Sequence, residues 1–142
     1  MSALLVPVIA VLGAYLAYRQ WRLAQNKFKL DLFDRRLRIY EAARDLLASI
    51  MSSGKADDQK MFTILVVGRE ANWLLNDSIA EYFVKEIYRK AVDLQMYDAE
   101  LPGATGEDRT SNIRKQRELK EWFMAQYKVL NEKFTPFLKL EH

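Results

Sequence analysis

The chain of 142 residues contains no cysteine, which excludes disulfides, thiolate nucleophiles, iron–sulfur clusters and cysteine-ligated zinc. Its single histidine is the final residue, so imidazole chemistry is all but absent. Three prolines and five glycines leave few helix breakers. With 50% of the residues apolar, the composition excludes disordered and collagen-like chains. The length suits one domain of ordinary size, not two. A last absence is local: residues 1–18 carry no charged side chain.

That gap changes the meaning of the net charge of +3, made of 22 basic and 19 acidic side chains. The first four charges after the gap, Arg19, Arg22, Lys27 and Lys29, are all positive. Without those four, 18 basic side chains stand against the 19 acidic ones from position 31 onward. The basic excess is thus a short cuff directly behind an uncharged segment. Such a cuff marks a membrane boundary rather than a nucleic-acid footprint.

Residues 1–18 (MSALLVPVIAVLGAYLAY) form the expected transmembrane anchor. At 1.5 Å per residue the helix reaches about 27 Å, near the short end for a span. Tyr15, Tyr18 and Trp21 stand where an aromatic belt belongs, and Arg19 and Arg22 can reach headgroups. A cleaved signal peptide would want basic residues before the apolar run and an Ala-x-Ala-like site, and neither is present. A buried core helix would carry a polar stripe, and this segment has none. The cations predict a cytoplasmic C-terminal part and an N-terminus outside, a topology that the lack of cysteine fits. Along the span, Ala3, Ala10, Gly13, Ala14 and Ala17 share one sector of about 100°. Ala10/Ala14 and Gly13/Ala17 are small-xxx-small pairs, which predict self-association in lipid.

Beyond the span every segment reads as helix. No Gly or Pro interrupts the chain between Gly13 and Gly54, and Leu30, Phe33, Leu37, Tyr40, Leu47 and Ile50 keep a helical spacing. Gly54 is the expected stop. A second helix is expected over Asp57 to Leu75; its MFTILVV run is apolar all round, so it should be the most buried. Asn76-Asp77-Ser78 reads as a turn, with Ser78 and Glu81 as a capping box for a third helix running to Leu101. Pro102-Gly103 ends that helix, and a fourth is expected from Thr110 to Phe134. The fold class is therefore all-α: the N-terminal transmembrane helix continues into an antiparallel, up-down cytoplasmic bundle of about four helices. In domains this gives residues 1–18 as anchor, 19–30 as basic juxtamembrane stalk and 31–139 as bundle. Leu140-Glu141-His142 reads as a remnant of a purification tag.

No GxxxxGK[ST], GxGxxG or HExxH motif occurs, and no nucleophile–base couple is visible. The sequence predicts no enzyme activity and no cofactor or metal. Most carboxylates have an opposite charge one turn away, as in Glu81/Lys85, Glu86/Lys90 and Arg117/Glu121, the pattern of a solvated face. Arg36, Arg69 and Glu70 lack such partners. One expectation is an inter-helix ion pair of Arg36, or a neighbour, with Glu70. The sharper one is an anion site built from Arg35, Arg36, Arg69 and Asn72, for phosphate or a nucleotide. Trp73, Tyr82, Phe83, Tyr88, Trp122, Phe123, Tyr127 and Phe134 recur at helical spacing and are assigned to the core. The denser positive run from Arg109 to Lys120 is diluted by Glu118.

Residues 18–47 (YRQWRLAQNKFKLDLFDRRLRIYEAARDLL) resemble the membrane-exit region of a family of small uncharacterised bacterial single-pass membrane proteins with a KL-LDLFDRR-Y-type stretch. The resemblance implies an anchor in the bacterial inner membrane; it implies no activity and no site. Expected partners are membrane lipids, a second copy of the chain and a protein partner, and nucleic acid is not expected. A ligand sensor predicts inward-facing, unpaired Arg36 and Arg69. A scaffold predicts an exposed apolar patch on the third or fourth helix.

Overall fold

The computed structural model describes residues 2–139, with side chains from residue 3. The expectation for residues 140–142 lies outside the described residues. The described residues form helices and no strand. The chain divides into two compact units, Met1–Asp34 and Arg35–His142, and helix α1, Ser2–Ser53, contributes to both.

In the first unit, side chains 3–31 are all exposed. The helix is long and apolar enough to cross a membrane, and its most apolar window buries nothing. Pro7 lies inside it, near the N-terminal end where few carbonyls precede the ring, so the helix tolerates it.

The second unit is a helical bundle whose segments begin and end at local signals. Gly54 takes φ of +73° and its N–H returns to Ile50 O at 2.8 Å, closing α1 with a left-handed residue that L side chains avoid. Asp57 accepts from Lys60 N at 3.0 Å and starts α2, Asp58–Leu74. Asn76 accepts from Ile79 N at 2.9 Å and starts α3, Asp77–Glu81. The cap is therefore Asn76 and not the expected Ser78, because the chain is already helical at Asp77. A π-helical stretch, Tyr82–Tyr88, joins α3 to α4, Arg89–Glu100, without a break. A short 3-10 turn, Leu101–Gly103, carries Pro102. Helix α5, Gly106–Phe134, starts four residues before the expected Thr110. Glu107 and Asp108 supply the negative charge that a first helical turn favours.

The core draws on every helix of this unit. Ile39, Ala43, Leu46, Leu47 and Ile50 of α1 meet Met61, Ile64 and Ala71 of α2. Ile79, Tyr82, Phe83, Ile87, Ala91, Leu94, Phe123, Leu130 and Phe134 complete it. Phe83 and Phe134 lie 5.9 Å apart, and Tyr40 stands edge-on to Phe134 at 5.5 Å. Of the expected α1 stripe, Leu47 and Ile50 are buried, Phe33, Leu37 and Tyr40 are half-buried and Leu30 is exposed, while Ile39, Ala43 and Leu46 join the buried face.

Two expectations about burial are corrected. Helix α2 buries Met61, Ile64, Gly68 and Ala71 but leaves Phe62, Val66 and Trp73 exposed, so it is not the most buried helix. Trp73, assigned to the core from its spacing, is 86% exposed. The other helices pack against one side of α2, and no described residue covers the opposite side, whatever its composition. Gly68 explains how close the packed side comes: a Cβ there would stand 3.2 Å from Val84 Cγ2 and 3.5 Å from Phe83 Cβ.

Candidate functional site

The sequence nominates three groups of residues, which the structure places at three different surfaces.

Ala3, Ala10, Gly13, Ala14 and Ala17 lie along one strip of exposed helix. A Cβ added at Gly13 would meet nothing within 4 Å, so the groove is open for a helix to approach. Val6 also falls within this strip by helical angle and sets one larger side chain among the small ones. Directly behind it the expected aromatic group assembles. Tyr18 and Trp21 rings are 6.2 Å apart, and the Arg19 guanidinium stands 5.9 Å from the Tyr15 ring. Arg19, Arg22, Lys27 and Lys29 are all exposed. Aromatic rings with arginines over them are suited to the headgroup layer, where an apolar face and a wet cation are satisfied together.

The four residues nominated for an anion do not converge. Arg35 is exposed. Arg36 is half-buried, donates its Nε–H to Leu74 O at 2.9 Å and sets its guanidinium 5.5 Å from the Phe137 ring. It satisfies a carbonyl at the end of α2, where a cation also meets the negative pole of the helix. The expected ion pair with Glu70 is therefore replaced by a backbone partner, and Glu70 is exposed. Arg69 and Asn72 do share a cavity of about 620 Å³ between α2 and the α3–π segment. Its wall also carries Asp77, Glu81 and Lys85, and Lys85 is held by Glu81 at 3.0 Å. Two cations and two carboxylates leave that cavity near neutrality.

Sequence reasoning missed a buried polar chain. The Tyr82 hydroxyl donates to Gln126 Oε1 at 2.6 Å, and Gln126 Nε2 donates to Trp122 O at 3.1 Å. Further along, Asn112 Nδ2 donates to Tyr97 O at 2.9 Å and Gln116 Nε2 to Asn112 Oδ1 at 2.8 Å. No buried side-chain nitrogen or oxygen among the described residues lacks a partner. Burial first, and the Glu86 carboxylate second, push ionisation of the Tyr82 hydroxyl well above the ordinary phenol range. These contacts tie α4 and the π segment to α5 in one register. The available signal was a pair of glutamines, Gln116 and Gln126, on the core side of α5.

Apolar surface is the remaining feature. A cavity of about 430 Å³ is lined by Met51, Ile113 and Met124 with the stems of Arg117 and Lys120. Val92 and Met96 of α4 are exposed as well. The described residues contain no cluster of three or more side chains suited to a metal ion. No protein-family model, curated protein or solved structure matches this chain.

Proposed function

We propose that the chain is a single-pass membrane protein whose C-terminal helical bundle is a cytoplasmic interaction module, a scaffold or a sensor-effector. In this reading residues 3–18 span the bacterial inner membrane. Arg19, Arg22, Lys27 and Lys29 hold the exit on the cytoplasmic side, and the bundle is antiparallel and up-down. The observation that carries the reading is an uncharged helix that buries none of its apolar surface and runs directly into four exposed cations. The small-residue strip at Ala10, Gly13, Ala14 and Ala17 supports pairing of two spans. The exposed methionines and isoleucine on α4 and α5 favour the scaffold version over catalysis.

Two experiments test it. Protease added to spheroplasts leaves residues 31–142 intact; digestion from outside reverses the topology. Gly13→Leu with Ala17→Leu lowers the oligomer mass in detergent, and an unchanged mass removes the strip as an interface.

A receptor for an anionic ligand is the second reading, favoured only by Arg69 and Asn72 in one cavity. Titration calorimetry with inorganic phosphate and nucleotides decides it; silence across the series ends it.

A further inference from the structure

The cavity between the end of α1, the Leu101 turn and α5 brings together an apolar lining, two free cations and an open amide. Met51, Ile113 and Met124 line a volume of about 430 Å³, a size that suits a small ligand. Arg117 and Lys120 stand in its wall with one carboxylate, Glu121. Among the described residues neither cation forms an ion pair, although Glu121 lies one turn beyond Arg117. Lys120 is half-buried, and its Nζ stands 3.1 Å from where a Cβ on Gly54 would be. Its ammonium is thus set at the end of α1, where the negative pole of the helix favours it.

The amide belongs to Gln116, which lines the same cavity and is only 7% exposed. The bonds behind it fix its orientation. Tyr97 O can only accept, so Asn112 turns Nδ2 to it and Oδ1 to Gln116, which answers with Nε2. Gln116 Oε1 is left without a hydrogen bond among the described residues. No unbonded side-chain oxygen there is sealed from solvent, so Oε1 opens on the cavity that Gln116 lines. Gln116 and Lys120, four positions apart on α5, are neighbours on one helical face.

We propose that this cavity binds a small amphipathic hydroxy acid. Its apolar chain lies among Met51, Ile113 and Met124, and its carboxylate meets Arg117 and Lys120. A hydroxyl close to the carboxylate donates to Gln116 Oε1. Each part of the molecule answers one feature of the wall. A neutral chain leaves both cations unanswered, and a bare inorganic anion leaves the apolar lining against water. An acid with no donor leaves the buried Oε1 open. The site goes beyond the interaction module proposed above and does not rest on the membrane span.

The test uses the full chain in nanodiscs of zwitterionic lipid, carrying Met51→Cys. The absence of native cysteine makes the rate of alkylation by iodoacetamide a reading of the cavity alone. β-Hydroxyoctanoate is expected to slow that reaction tenfold or more, and octanoate to slow it several-fold less. Octanol lacks the acid and acetate lacks the chain, so both leave the rate unchanged. Arg117→Gln with Lys120→Gln removes the protection, and Gln116→Met lowers the effect of the hydroxy acid to that of octanoate. No protection, equal protection by octanol, or protection that survives the loss of both cations overturns the proposal. Equal protection by the two acids in the parent overturns it as well. Helicity by circular dichroism is expected to stay at the parent level in each variant. If Gln116→Met lowers helicity, the two acids compared in the parent give the same reading. Slower alkylation in discs of anionic lipid, with no added acid, would put a phospholipid in the cavity and equally overturn it.

Discussion

Residues 3–18 and helix α2, whose 61–67 run is apolar apart from Thr63, look alike in composition, and the molecule uses them differently. The first stretch leaves every side chain exposed, on a helix whose most apolar window buries nothing. The second divides itself: Met61, Ile64, Gly68 and Ala71 are buried, while Phe62, Val66 and Trp73 are exposed. Composition alone therefore does not say how much of an apolar helix is covered. Burial needs a complementary surface, and α2 has one on a single side.

The comparison is broken most forcefully by truncation. Ile64→Ala empties a fully buried position of α2 and is expected to destabilise the bundle by about 2–5 kcal/mol in urea unfolding. Leu12→Ala in the exposed stretch leaves that transition unmoved. If both shift it equally, the two stretches share one cooperative core.

Glycines give the next contrast. Gly68→Leu forces a side chain against Val84 and Phe83 and is expected to cost about 1–3 kcal/mol. Gly13→Leu meets nothing and leaves bundle stability unchanged, acting only on pairing of the span.

The buried polar chain sharpens the distinction between covered and uncovered helix. Tyr82→Phe strands Gln126 Oε1 and is expected to cost about 1–3 kcal/mol. The same hydroxyl sets a pH dependence. Its folded-state ionisation is raised, so the unfolded chain releases this proton first, above about pH 10. Stability therefore falls as pH rises past that point, by at most about 1.4 kcal/mol per unit from this group. Tyr82→Phe removes that part of the alkaline slope in denaturant titrations.

Smaller effects belong to the boundaries of the covered helices. Asn76→Ala removes the side-chain cap of α3 and is expected to cost about 1 kcal/mol by thermal melting. Lys85→Ala breaks the Glu81–Lys85 pair, in which both side chains are exposed, and shifts stability by a few tenths of a kcal/mol at about physiological salt.

Much of the helical framework was legible in the residues because its signals are short-ranged. Gly54, Asp57 and Pro102 mark ends that neighbouring residues alone dictate, and α2 runs Asp58–Leu74 against an expected Asp57 to Leu75. The N-terminal error in α5 has the same cause: GATGEDR reads as loop by composition, yet Gly106 with φ of +58° begins the helix. The candidate anion site was less legible. Helical spacing flagged Arg36, Arg69 and Glu70 as lacking local partners, and Arg36 found one at Leu74 O, 38 positions away in the chain. No window of neighbouring residues contains that carbonyl.

By itself the sequence determined that the chain is helical, that an uncharged apolar helix precedes a basic cuff, and roughly where most helices stop. These follow from backbone propensities, caps and charge order, all of which act within a turn or two. Tertiary structure decided which side of α2 is covered and that Arg36 donates to Leu74 O at the end of α2. It also decided that Tyr82, Gln126, Asn112 and Gln116 are buried as bonded groups. Each of those outcomes depends on two segments distant in the chain meeting at a few ångströms, and only packing brings them there.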